Sequence, residues 1–559
     1  MNAAAASRGY VPIPPPLPLL AGLCVVYLLL GLVGHDPWKT EDALGIGIVH
    51  QLLTQGHWLV PHLAGEPYLD DGPLHVWIAA LTAKALSFWM TPHDGARMAS
   101  ALSIAMAIFF TRLAARTFHG KAEGEHVVLI LLGCLGLLVH AHETISETTM
   151  LAGLALGWYG LALLSGAPSS ATAGSPVAPQ ADMRTGARAG IVLGLGLGIA
   201  LLSKGAMAAS PLVLTVLLLP LAAERFRSKV YFASSALGIA IGAGCLAAWL
   251  GAVHWRHPGL AAAWISTQMD IWYGLDAASA GYYAKLLSWS SWPAWPLAVW
   301  FFWDNRRKPA RPGVRLLIVA LLATLAVLLT TRDMRPVNAL AVLLPLALLA
   351  SAGAATLRRG AANSLAWFGA MCFTFFGFLV WLGWFAMLSG IPGAIARNFA
   401  KLEPGHVQRF EALPVIVAAL LSLCWLYVLA RSQRSGLRSV TFWAVGIAFL
   451  WGLLMTLWLS WIDHGKSYAP VARSLQQSIG NSKGCIESSG LGEAQRAALD
   501  YHAGIVTRRT EIHGRGRCPM LLTQTGMRDE RRPEPGWRLV WEGSRPRERE
   551  RYRLYQRNR

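Results

Sequence analysis

Charge is what this chain has least of. Asp, Glu, Lys and Arg make up 14% of its 559 residues, against about 25% in a soluble globular protein. With 54% hydrophobic residues and 24 Trp, that scarcity excludes an ordinary water-soluble enzyme. Acids are the scarcer sign: 30 Asp and Glu stand against 49 Lys and Arg, a net charge of +19. Metal-binding cysteine spacing is missing too. The 7 cysteines form no Cys-x-x-Cys and no Cys/His ligand pattern, so no zinc site is expected. Five of them (Cys24, Cys134, Cys245, Cys372 and Cys424) lie inside apolar runs, where Cys acts as a small hydrophobe. The apolar runs lack strand-like alternation. That excludes a barrel and leaves helices, which satisfy their own backbone in lipid. A cleaved leader is not expected either. Arg8 is the lone cation before the first run, the approach is Pro-rich, and no small-x-small exit follows.

What is present is a succession of apolar runs, about thirteen of which are long enough to cross a bilayer as helices. They lie near 18–34, 96–115, 125–142, 149–165, 189–204, 207–222, 230–253, 288–303, 314–331, 337–355, 365–389, 412–430 and 440–462. Pro73–Met90 is also apolar, but it holds His75 and Lys84 and sits between an acidic loop and the Pro92–Asp94 turn, so it is placed on the membrane surface. The positive-inside rule agrees with that choice. With the N-terminus in the cytoplasm, the clusters Arg112/Arg116/Lys121, Arg184/Arg188, Arg225/Arg227/Lys229, Arg306/Arg307/Lys308/Arg311/Arg315, Arg358/Arg359 and Arg431/Arg434/Arg438 all face inward. The tail then lies outside. The loop Ser165–Gly186, rich in Ala, Ser, Pro and Gly, is expected to be a disordered cytoplasmic linker. The expected fold class is an α-helical polytopic membrane protein, residues 1–462, with a small C-terminal α/β domain, residues 463–559.

In the tail, Ser474–Ile479 and Gly492–His502 read as helices, and Met520–Thr523, Trp537–Trp541 and Tyr552–Tyr555 as short strands. Cys485 and Cys518 are its only cysteines. In an oxidising compartment a disulfide between them is expected, free thiols being the alternative. The positive charge belongs to the inward clusters and to the closing RPRERERYRLYQRNR, so it does not point to nucleic acid. A basic outer domain suits anionic headgroups and lipopolysaccharide phosphates. A solvated stabilising cap remains the other reading.

The densest chemistry lies in the first outer loop, 35–95. His35–Trp77 reads HDPWKTEDALGIGIVHQLLTQGHWLVPHLAGEPYLDDGPLHVW and sets Asp36, Glu41, Asp42, Glu66, Asp70 and Asp71 among His, Trp and Tyr beside the membrane. A connecting loop needs none of this. Further ionisable groups, Glu143, Glu147, Lys204, Arg332 and Asp333, map to the same outer boundary. Any one of them could be a snorkelling or structurally paired charge. Their convergence on one face points to a site for the polar head of a lipid-linked substrate.

The order of first span, acidic pair, GxWLVPHLxGEPYxxxxPLHxW, amphipathic stretch and second span resembles the polytopic glycosyltransferases of the GT-C fold. The resemblance is strongest to aminoarabinose-transferase-like and protein O-mannosyltransferase-like enzymes. It extends to LAGLALGWYGLALL after Glu147, LLSKG around Lys204, WPAWPLAVWFFW at Trp292–Trp303 and the stretch from Arg332. It implies a thirteen-span plan with a periplasmic C-terminal domain and a sugar donor carried on a polyprenyl phosphate. It also implies that Glu41 or Asp42 is the general base or helps bind a divalent cation, with Glu147 as a further acid. The family order is Asp then Glu; here it is reversed, so both remain candidates. Tyr68, His75 and Trp77 match the family's aromatic and His positions. Where aminoarabinose enzymes carry Glu-Lys-Pro-Pro, this chain has Asp70-Asp71-Gly72-Pro73. The loop Lys is lost, so phosphate handling is expected to pass to Lys204, Arg332 or a metal ion.

The expected function is transfer of a sugar from a polyprenyl-phosphate carrier to lipid A or lipopolysaccharide, another envelope glycan or a protein. The reaction would take place at the outer face of a bacterial inner membrane and be carried out by a single chain. A lipid or glycolipid flippase is the alternative. It would favour midplane charges and internal repeats, and the sequence shows neither.

Overall fold

A computed structural model describes residues 15–165, 182–272, 274–307, 311–332, 334–433, 435–480, 484–514, 516, 518–526, 536–546 and 548–558. Asp333 and residues 166–181 of the expected linker lie outside them; Met183–Gly186 already belong to the next helix. Among the described residues, nine helices are long and apolar enough to cross a membrane. Shorter apolar helices accompany them: Leu17–Leu29, Lys121–Gly133 continued by Leu135–His140, and Ala294–Asn305.

Two helices form the heart of the bundle. Pro336–Ala355 and Ser146–Ser165 are buried along nearly their whole length, whereas Ala412–Arg431 turns most of its surface outward. Between helices in lipid the hydrophobic effect gives little, so close contact depends on small residues. Ser146–Ser165 meets that need with Gly153, Gly157 and Gly160. A Cβ on Gly157 would lie 2.5 Å from the Leu212 side chain, and one on Gly153 2.8 Å from the Gly196 carbonyl.

The longest helix, Met183–Ala222, is two limbs of one hairpin. Val230 packs on Gly186 while the Tyr231 hydroxyl donates to the Val216 carbonyl. In a straight helix residues 186 and 216 would be about 45 Å apart. The reversal occurs at Lys204 and Gly205, where the backbone leaves the helical region and Gly205 takes φ +63°, a conformation that favours glycine. The tip is fixed from outside: the Gly72 amide donates to the Ser203 carbonyl at 3.0 Å and the Ala206 amide to Gln268 Oε1 at 3.0 Å.

The first outer loop is ordered as helix Glu41–Gln55, a two-residue hairpin pairing His62–Leu63 with Glu66–Pro67, and helix Leu74–Ala85. At 12 residues, Leu74–Ala85 is about 18 Å long, short of the roughly 30 Å hydrocarbon core.

The tail forms a five-stranded sheet in the order Arg508–Arg509, Ile486–Ser489, Met520–Gly526, Glu550–Arg557, Trp537–Gly543. Helices Ala469–Ile479 and Glu493–Ala503 pack with it around Leu475, Leu499 and Leu522. The strands Ile486–Ser489 and Arg508–Arg509 are additional to those read from the sequence. Cys485 is joined to Cys518.

This domain is no detached cap. Its helix Glu493–Ala503 lies against Glu41–Gln55. A Cβ on Gly47 would come 2.5 Å from the Ala497 Cβ. Gln51 donates to Asp500, His93 shares a 2.7 Å hydrogen bond with Tyr501, and Arg496 meets Glu66 at 3.1 Å. The tail therefore braces the helix that begins with the acidic pair.

Candidate active site

Glu41 and Asp42 open one helix, and that decides how they differ. Successive helical residues point about 100° apart, so the two carboxylates cannot face the same space. Asp42 turns inward and is 1% exposed. Its carboxylate accepts from Arg97 Nη2 at 2.8 Å and Nε at 3.2 Å, from the Thr144 amide at 2.9 Å and from the Trp38 amide at 3.3 Å. Arg97 is itself fully buried and also meets Asp94 at 3.0 Å and the carbonyls of His35 and Asp36. Burial alone would raise the Asp42 carboxyl. The Arg97 charge and its hydrogen bonds outweigh burial and hold the group below the usual carboxylate range. Such a carboxylate is a poor proton acceptor.

Glu41 is placed differently. Its carboxylate lies 3.6 Å from Arg335 and keeps some exposure. Burial pushes its carboxyl above the ordinary range, Arg335 opposing in part. The two acids that the sequence left equivalent thus stand in different surroundings: Asp42 is buried against Arg97, and Glu41 lies partly exposed beside Arg335.

Beside Glu41 is a cavity of about 550 Å³, lined by Asp70, Lys204, Met207, Thr267, Asp270, Ile271, Arg332, Arg335, Asn338 and Glu493. That volume suits a sugar and its phosphate. Lys204 reaches its wall from the hairpin tip but is only 5% exposed. Its ammonium is held by Asp71 at 2.7 Å and Glu147 at 2.8 Å. The loop position where a cation was missing therefore holds the counter-charge of another cation. Lys204 is largely neutralised, and the guanidiniums of Arg332 and Arg335 are the wall's other cations.

The remaining expected residues fall into place around this. Asp70 lines the cavity, and its carbonyl accepts from Gln268. Tyr68 and His75 are buried and do not line it; the His75 ring shares a 2.9 Å hydrogen bond with Thr149 beside Glu147. Glu143 pairs with His140 at 2.6 Å.

Three residues that matter here were not singled out from the sequence. Arg97 carried a faint signal, a lone cation three residues after Asp94 at the head of an apolar helix. Arg335 stood next to a span beside the more obvious Arg332. Glu493 gave no sign at all.

The donor set around Glu41 and Asp42 does not fit a divalent ion. Asp42 spends its oxygens on Arg97 and backbone amides, Glu41 faces a guanidinium, and among the described residues no three His, Cys, Asp or Glu converge.

No family model matches the chain. It is 26% identical over 459 residues to the undecaprenyl phosphate-alpha-4-amino-4-deoxy-L-arabinose arabinosyl transferase of Pseudomonas savastanoi pv. phaseolicola, covering 78% of this chain and 76% of that one. A second such transferase, from Pseudomonas fluorescens, is 27% identical over 351 residues, 60% of this chain and 58% of that one. Among solved structures, ArnT from Cupriavidus metallidurans bound to undecaprenyl phosphate superposes with a TM-score of 0.67 at 16% identity, covering 96% of this chain and 97% of that one. The fold is shared along nearly the entire length.

Proposed function

We propose that this multi-pass membrane protein of GT-C fold, similar in sequence to aminoarabinose transferases, is a glycosyltransferase. In this reading it moves a sugar from a polyprenyl-phosphate carrier to lipid A at the outer face of the inner membrane. The observation that supports the reading is a cavity lined by Lys204, Arg332 and Arg335, with the Glu41 carboxylate 3.6 Å from Arg335. The comparisons give no support to a transporter. The thirteen-span plan, with the N-terminus inside and the tail outside, is part of the same proposal. So is the single-chain state.

The chemistry follows from charge. As the bond between the sugar and the carrier phosphate breaks, negative charge grows on the phosphate. Arg332 and Arg335 stabilise it in a cavity partly closed to water. Glu41 takes the proton of the acceptor hydroxyl as its oxygen attacks the sugar. Asp42 and Arg97 fix the helix that carries Glu41; Lys204, Asp71 and Glu147 fix the hairpin tip. Both substrates keep their chains in lipid while their heads meet at the boundary.

The experiment is a reaction with purified protein in proteoliposomes and defined donor. Glu41→Gln should lower turnover about 10²–10⁴-fold with unchanged yield of folded protein. Near-wild-type turnover in that variant contradicts the base assignment.

A further inference from the structure

A second cavity, of about 740 Å³, shares no lining residue with the one beside Glu41. One wall is apolar. Val33 follows the helix Leu17–Leu29, Val415 lies in Ala412–Arg431 and Met455 in Arg438–Leu457. Leu413, on the same wall, is 73% exposed on a helix that turns most of its surface outward, so this wall borders lipid.

The other wall is polar and carries the cations Arg409 and Arg473, the second from the tail helix Ala469–Ile479. Among the described residues neither guanidinium pairs with a carboxylate. Two of the three acids in the lining are spent on protein donors. Asp463 accepts from the Asp36 amide at 2.9 Å and the Trp38 indole at 2.8 Å, and Asp36 accepts from the Ser467 hydroxyl. The third, Glu411, is exposed at the start of Ala412–Arg431, where the helix dipole offsets part of its charge. Two unpaired guanidiniums beside an apolar wall suit a phosphorylated amphiphile: the Arg forks take phosphate oxygens in pairs and the wall takes the chains. A polyprenyl-phosphate donor has one phosphate, which the cavity beside Glu41 takes, so the second cavity calls for a second phosphorylated lipid. The two are also connected. Asp36 lines the second cavity, and Glu41 follows in the same segment, at most about 18 Å of extended chain away. Trp38, between them, is bridged to Ser467 of the second cavity.

We propose that this cavity is the acceptor subsite: Arg409 and Arg473 hold a phosphate of lipid A, its acyl chains leave past Val33 and Val415, and its attacking oxygen reaches Glu41. The inference rests on the glycosyltransferase reading and places the acceptor within it. Donor and acceptor then enter between different helices, and neither blocks the other.

The test uses the full chain. In nanodiscs, fluorescent lipid A should bind at least about 10-fold more tightly than its dephosphorylated form, and excess undecaprenyl phosphate should not displace it. In proteoliposomes with an undecaprenyl-phosphate aminopentose donor, Arg409→Gln and Arg473→Gln should each raise KM for lipid A about 10-fold, with kcat and the KM for donor nearly unchanged. Arg473→Lys, which keeps the charge, should retain part of the affinity, and Glu411→Gln should lower the KM for lipid A. Equal losses on donor and acceptor would make the arginines structural and overturn the proposal, as would no loss. Displacement of lipid A by undecaprenyl phosphate would overturn it by merging the two sites. Displacement by phosphatidylglycerol or inorganic phosphate at equal concentration would show a general anion site and overturn it too. In each of these cases a wild type that still glycosylates lipid A leaves the glycosyltransferase reading standing. A wild type that transfers sugar to no acceptor overturns both.

Discussion

Replacing Asp42 by Asn separates a brace from a base. In the native protein the Asp42 carboxylate answers a fully buried Arg97 and two backbone amides. The carboxamide of Asp42→Asn would keep one acceptor oxygen but turn an NH2 group and no charge toward the guanidinium. Breaking a buried ion pair in this way typically costs about 3–5 kcal/mol. Asp94, 3.0 Å from Arg97, still supplies one carboxylate, which places the expected loss near the lower end, about 3 kcal/mol. The Glu41–Arg335 contact is longer, 3.6 Å, and partly exposed, so Glu41→Gln should cost at most about 1 kcal/mol. Thermal unfolding of detergent-purified protein, run beside the transfer assay, reads both quantities. Asp42→Asn should melt markedly earlier and lose activity in proportion to lost fold; Glu41→Gln should melt like wild type and be inactive. An Asp42→Asn protein that is stable yet inactive would refute the division of roles.

The remaining predictions concern the same network and its scaffold. With Glu41 as base, kcat/KM should fall on acidification through a pKa above the ordinary Glu value. Arg335→Gln should move that acid limb to still higher pH, because Arg335 is the group that opposes the burial effect; a shift to lower pH, or none, would detach Glu41 from catalysis. Lys204→Gln leaves Asp71 and Glu147 together without their cation and should destabilise by about 3–5 kcal/mol, with Lys204→Gln/Asp71→Asn regaining part of the loss; a stable single variant would contradict the buried bridge. The bond between Cys485 and Cys518 closes a loop with a sequence separation of 33, worth roughly 3–4 kcal/mol to the tail. Thiol labelling of the unfolded, unreduced protein should leave both cysteines unmodified. A periplasm-only reporter fused after Arg559 should be active, and activity of a cytoplasm-only reporter there would invert the topology.

The class of fold was legible because apolar runs and one-sided Arg and Lys clusters are local properties of the chain. Of the residues expected to converge, Asp70, Asp71, Glu147, Lys204 and Arg332 do come together, at one cavity and the ion pairs behind its wall. Their pairing was not legible. Whether Glu41 or Asp42 is the base depends on Arg97, distant in sequence and close in space. The meaning of Asp71 depends on Lys204, which arrives only because Gly205 lets the hairpin turn. The tail's part was least legible. Its docking surface on Glu41–Gln55 sets Ala497 and Tyr501 against Gly47 and the apolar residues of that helix, with a few polar contacts around them, and two such residues in the tail make too short a pattern to read.

The measurement closest to the central claim is mass spectrometry of lipid A after incubation with the purified protein and an undecaprenyl-phosphate aminopentose in proteoliposomes. The account predicts lipid A carrying an added aminopentose, and none with Glu41→Gln. Unmodified lipid A from the wild-type protein, with both substrates present and the protein folded, would contradict it.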